Sequence, residues 1–174
     1  GGGGGGAGAT VMSGGGGGFG TAGSKGNGTG GVASGYANSN AQLVPLTGGS
    51  GGGGGGSVSL GSGGGGGGGG AVLIFATENI TIMPTGRIIS TGGEGGRGQA
   101  NGGSGSGGAI VLQSFNVTIN GVLNTSNETS QFNRNMHAGG LGRIRVDGLA
   151  SPMRFSWDGQ AGSNFTGPAI YNIT

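Results

Sequence analysis

Residues 61–114 read GSGGGGGGGG, then AVLIFATENITIMPTGRIIS, then TGGEGGRGQANGGSGSGG, then AIVLQS. A glycine run feeds an apolar strand, glycine returns, and a second apolar strand follows. The apolar pieces alternate: Ile80 and Ile82 point one way, Asn79 and Thr81 the other. No helical period is sustained, and glycine with β-branched residues opposes one. The glycine runs are the harder half. Ordering Gly63–Gly70 costs on the order of 8–16 kcal/mol of backbone entropy. An ordered run must therefore recover that cost through packing and hydrogen bonds. An extended helix with three residues per turn, like polyproline II, leaves every N–H and C=O free to bond a neighbour. Without side chains, several such strands can pack side by side, and eight residues would span about 25 Å. The expectation is a bundle of glycine strands rather than a loose linker.

Working outward, glycine supplies 55 of the 174 residues, against roughly 7% in ordinary proteins. Collagen is excluded, because Gly63–Gly70 is unbroken, Gly23–Gly28 violates any Gly-X-Y frame, and there are 4 prolines. A net charge of +2 gives no self-repulsion to hold the chain open. The glycine-dense half, 1–70, carries short apolar patches. Strands are expected at Thr10–Met12, Gln42–Leu46 and Ser57–Leu60, with Pro45 at a strand end. Residues 71–174 form the β-rich half. Because glycine returns at 92–108, the whole of 1–174 reads as one domain made of two materials.

An internal repeat of about 37 residues organises the second half. Ala71–Ala76, Asn79–Ile82 and Gly86–Thr91 are echoed by Ala109–Ser114, Asn116–Ile119 and Gly121–Thr125. A weaker third copy begins at Arg143–Val146 and continues at Met153–Trp157. Alternation places Phe115, Val117 and Ile119 opposite Asn116 and Thr118, and Ile144 and Val146 opposite Arg143 and Arg145. The fold class expected is all-β: a short-strand β-solenoid-like or β-sandwich domain packed with extended polyglycine-II strands, essentially without helix.

The runs Gly1–Gly6, Gly14–Gly18, Gly51–Gly56 and Gly63–Gly70 resemble the polyglycine-II bundles of glycine-rich phage tail-fibre adhesins. They also resemble the glycine-rich extracellular domain of some receptor tyrosine kinases. The repeat over 70–160 resembles the rungs of glycine-rich β-solenoid adhesins. These resemblances imply a packing mode and an extracellular setting, and they carry over no ligand site.

The sharpest motif is Asn-X-Ser/Thr. It occurs at Asn27, Asn79, Asn116, Asn124, Asn127, Asn164 and Asn172, never with proline between. Composition alone yields about two such tripeptides, so seven is an excess that marks N-glycosylation acceptors on a secreted protein. Covalent N-glycans are thus expected, with no cofactor and no metal. The competing reading is that Asn and Thr simply favour exposed strand faces and turns.

Other chemistry is thin. Cysteine is absent, which removes disulfides, thiol catalysis and cysteine-based zinc sites. His137 is the single histidine and has no marked triad partner. Asp147 and Asp158 read as turn residues or as salt-bridge partners of Arg143, Arg145 or Arg154. The GxGxxG matches are meaningless in this composition, and the Gly-Lys-Ser/Thr ending of a phosphate loop is missing. Gly92–Gly108 contains no Asp, unlike calcium-binding glycine repeats. Trp157, Tyr36 and Tyr171 suggest a sugar platform, against a core role for Trp157. The seven cations are scattered, so no nucleic-acid partner is expected. No apolar run reaches the roughly 20 residues of a membrane span. The start at Gly1 rather than Met fits a processed precursor.

Pro168–Thr174 reads as a terminal strand, with Ala169, Ile170, Tyr171 and Ile173 as its candidate assembly residues. It is either an edge strand of the chain's own sheet or a strand donated to a neighbour. The function expected is a non-enzymatic subunit of an extracellular, glycosylated filament or surface appendage whose partner is itself. The alternative is an adhesin or receptor-recognition module that contacts cell-surface glycans or proteins through loops such as 127–141.

Overall fold

A computed structural model describes residues 11–26, 42–57, 61–126 and 137–148, and the backbone of 169–173. The described residues contain strands and no helix. The first turn of chain carries β1 (Ala71–Phe75), β2 (Asn79–Ile82) and β3 (Arg87–Ile89). The second carries β4 (Ala109–Ser114), β5 (Asn116–Ile119) and β6 (Val122–Asn124). Then come β7 (Arg143–Gly148) and β8 (Ala169–Ile173). Each strand of the second turn lies parallel to its counterpart in the first: Ala71 pairs with Ala109, Asn79 with Asn116 and Arg87 with Val122. The sheet grows by turn-on-turn stacking into the order β1-β4-β7-β8, all parallel.

Alternation sets the core. Ile80, Ile110, Leu112, Val117, Ile119, Leu123, Ile144 and Val146 form one buried cluster, backed by Val72, Ile74, Ala76, Ile82 and Ile88. Full burial of side chains such as Ile110, Leu112 and Ile144 stabilises by about 1.5–3 kcal/mol each. The opposite face of β4 is also covered, since Ala109 and Val111 pack with Phe19 and Leu43. The strand at the middle of the stack is therefore buried on both faces, as its continuous apolar run requires.

The glycine segments pack backbone against backbone. Gly49, Gly52 and Gly55 donate N–H bonds to the carbonyls of Gly69, Gly66 and Gly63, an antiparallel ladder stepping by three. Gly63, Gly66 and Gly69 donate in turn to Ala100, Gly103 and Ser106, a parallel ladder with the same step. Three is the period of a polyproline-II-type helix, whereas a pleated strand repeats every two. Ala100–Gly108 is the hub. Gly102, Gly105 and Gly108 donate to Gly96, Gly93 and Ser90; Gly103 and Ser106 donate to Gly53 and Ser50; Ser104 and Gly107 donate to His137 and Gly140. Its carbonyls accept from Gly63, Gly66 and Gly69 on one side and from Gly14 and Gly17 on another. Five strands thus surround one, and every N–H from Gly102 to Gly108 is used.

This contact excludes side chains. A Cβ on Gly102 would sit 1.9 Å from the Gly64 carbonyl oxygen, and one on Gly105 would sit 2.0 Å from that of Gly67. The two materials are continuous in register. The Ser62–Ala100 bridge has the same offset, 38 residues, as the Ala71–Ala109 pair of β1 and β4.

Several local expectations fail. Of Thr10–Met12, Thr10 lies outside the described residues, and Met12 makes only an isolated antiparallel bridge, to Gly56. Gln42–Leu46 is a bent segment and not a strand: Leu43 adopts φ 55 and Val44–Pro45 is cis. Leu43 is held in that uncommon left-handed conformation with its side chain buried. Phe115 lies in the bend between β4 and β5 and is half exposed, so it does not share the buried face of Val117 and Ile119. Residues 58–60 of the third expected strand lie outside the described residues, as does Met153–Trp157.

Alanine substitution separates the two kinds of glycine. Gly105→Ala should lower stability by at least the ~1–3 kcal/mol of an overpacked core. Gly64→Ala, where a Cβ meets nothing within 4 Å, should be neutral or stabilise by about 0.4–1 kcal/mol. Denaturant unfolding followed by circular dichroism checks both.

Candidate functional site

The surfaces to consider are the two open edges of the stack and the polar ladder along β2 and β5. In the described residues β1 has one neighbour in its sheet, and so does β8. Each leaves one row of backbone N–H and C=O groups unclaimed, the template on which another strand adds. Ala169, Ile170, Tyr171 and Ile173 lie in β8, which pairs parallel with the chain's own β7; Arg145 is opposite Ile170 and Val146 opposite Tyr171.

The outer face of β1 is apolar and open. Leu73 is 48% exposed and Phe75 66%. Val111, the register partner of Leu73 one turn on, is 2% exposed because Phe19 and Leu43 cover that part of the sheet. Met83 and Ile89 of the first turn are exposed as well.

Asn79 and Asn116 stand side by side, the Asn116 Nδ2 donating to Asn79 Oδ1 at 3.1 Å. Thr81 faces Thr118 in the same way. Both asparagines are exposed, on the side opposite Ile80 and Val117, where alternation puts them. Asn124 is half-buried at the end of β6, and its Oδ1 accepts from the Ser126 N–H at 2.8 Å. Asn172 lies on β8. Asn27, Asn127 and Asn164 lie outside the described residues, as do Tyr36, Arg154, Trp157 and Asp158.

No protein-family model, curated protein or solved structure matches this chain.

The charged groups build structure. Asp147 Oδ2 accepts from Gln113 Nε2 at 2.7 Å and from Arg145 Nη2 at 2.9 Å, and Oδ1 accepts from Arg145 Nε at 2.9 Å. Arg145 Nη1 also donates to the Gln42 carbonyl, which ties the bent 42–46 segment to the sheet. Alternation alone places Arg143 on the polar side. Instead it is 3% exposed, with its guanidinium 5.6 Å from the Phe19 ring centroid, a cation–π approach. Desolvation pushes its pKa below the usual arginine range. No local pattern signals this cover, because Phe19 is separated from Arg143 by most of the chain. His137 belongs to a glycine-bundle strand, its carbonyl accepting from Ser104 N–H. The stretch 137–141 is thus packed structure, while 127–136 lies outside the described residues. Among the described residues no cluster of His, Cys, Asp or Glu is arranged to hold a metal, and no helix is long and apolar enough to cross a membrane.

Asp147→Asn keeps the shape of the clamp and removes its charge. It should destabilise by about 1–2 kcal/mol, and the difference from wild type should shrink at high salt. Urea melts at low and high ionic strength provide the check.

Proposed function

We propose that this chain is a secreted, non-enzymatic structural subunit that associates with copies of itself to build an extracellular filament or surface appendage. The observation that carries the reading is that β1 and β8 end one parallel sheet at opposite sides, with no further strand beside either among the described residues. A sheet already built by adding parallel turns can be extended by further strands at either edge with the same backbone chemistry. The glycine ladders add a second mode of backbone contact.

N-glycosylation fits the exposed Asn79 and Asn116 best. Paired strands are about 4.8 Å apart, and the two side chains already share a hydrogen bond. One glycan there crowds the other, so the reading is one occupied site of the two per molecule. A glycan beside an open edge would limit uncontrolled strand pairing.

Electron microscopy of protein purified from a secretory host should show polymers with a regular repeat. Discrete monomers or trimers that bind cell-surface glycans would favour the adhesin reading instead. On the same sample, intact mass should fall on treatment with an N-glycosidase, and site mapping should find Asn79 and Asn116 modified in different molecules. An unmodified mass would contradict the glycoprotein reading.

A further inference from the structure

Among the described residues the glycine bundle is unfinished on one flank. Along Gly61–Gly70 the hydrogen bonds sort by threes. Gly63, Gly66 and Gly69 donate to Ala100, Gly103 and Ser106 and accept from Gly55, Gly52 and Gly49, and the carbonyls of Gly64 and Gly67 accept from Gly96 and Gly93. The N–H groups of Gly64, Gly65, Gly67 and Gly68 and the carbonyls of Gly65 and Gly68 have no partner among the described residues. All four residues are exposed to solvent. In Ala100–Gly108, by contrast, every N–H from Gly102 onward is bonded. Gly61–Gly70 is therefore an edge, and it continues directly into the open edge of β1.

We propose that this flank, Gly61–Gly70 running into β1, docks against the same flank of a second copy of the chain. The inference rests on the self-association reading above and specifies its surface and partner. Unmet donors and unmet acceptors lie together on the edge, so it is complementary to itself, the condition for an isologous contact. The occupant must approach backbone to backbone, as the strands inside the bundle do, and so must itself be a glycine strand. Gly61–Gly70 meets that requirement. Ala169–Ile173, at the other edge of the stack, bears a side chain at every position and does not.

The glycines themselves point the same way. A Cβ on Gly61, Gly64, Gly67 or Gly70 would meet nothing within 4 Å, and none of the four has a left-handed φ. The subunit's own fold would accept side chains there. Glycine at an exposed extended position gives up roughly 0.5–1 kcal/mol relative to alanine, with no return inside the subunit. It has a use if another backbone closes onto this face. The uncovered Leu73 and Phe75 on the adjoining strand give the same contact an apolar part.

The test uses the full chain. Gly64→Gln/Gly67→Gln should leave the circular dichroism spectrum and Tm of the subunit intact and weaken self-association by roughly tenfold or more in sedimentation velocity. Wild-type association with unchanged association of the double variant would overturn this inference and leave the self-association reading standing. A wild type that stays monomeric would overturn both. Because the chain has no cysteine, Gly67→Cys gives a second readout that does not depend on a bulky substitution. Under mild oxidation it should form a disulfide-linked dimer much faster than Lys25→Cys, placed away from this flank. Equal rates for the two would also overturn the inference.

Discussion

A backbone without Cβ atoms can approach another backbone from every side, and the structure depends on that freedom at Ala100–Gly108. In a pleated strand, side chains on two faces confine hydrogen bonding to one plane. In a three-residue helix of glycine, successive N–H groups point in three directions, so one strand can bond several neighbours. The hub does this with five. The carbonyl oxygens of Gly15, Gly64, Gly67 and Gly70 occupy the places where side chains on the hub would be. The entropy cost of ordering so much glycine is offset by dense backbone bonding and not by apolar burial.

The second material follows from the first through register. Each glycine strand runs without a break into an apolar strand: Gly61–Gly70 into β1, and Ala100–Gly108 into β4. The parallel glycine ladder fixes how the second turn sits on the first, and the alternation of Ile80, Val117 and Ile119 then faces one core. A slip of one residue would turn every apolar side chain to the wrong face. The bundle and the sheet thus enforce a single alignment. The polar Asn–Asn and Thr–Thr pairs on the other side come from the β2–β5 register, whose offset of 37 residues is one shorter than the 38 of β1–β4.

Much of this was legible in the sequence. The repeat was visible because pairing strands have similar sequences, as in NITI and NVTI. The all-β class followed from period-two alternation and glycine. The packed glycine strands followed from the entropy argument. What stayed hidden were contacts across long separations. Phe19 over Arg143, and Leu43 over Val111, join residues that no local pattern connects. The misreading of Gln42–Leu46 as a strand has a related cause. Of its apolar residues Leu43 alone is buried, against β4, whereas Val44 and Leu46 are exposed, and the chain bends at Leu43 instead of pairing as a strand. The glycine run likewise reads as uniform in sequence. The distinction between the buried Gly66 and the open Gly67 exists only in the bundle.

Residue-resolved amide hydrogen exchange tests the central claim most directly. The three-residue ladder predicts protection of every amide from Gly102 to Gly108. Along Gly63–Gly69 of the monomeric subunit it predicts a repeating pattern, with Gly63, Gly66 and Gly69 slow and Gly64, Gly65, Gly67 and Gly68 fast. Uniformly fast exchange in both segments, or protection alternating every second residue, would contradict the account.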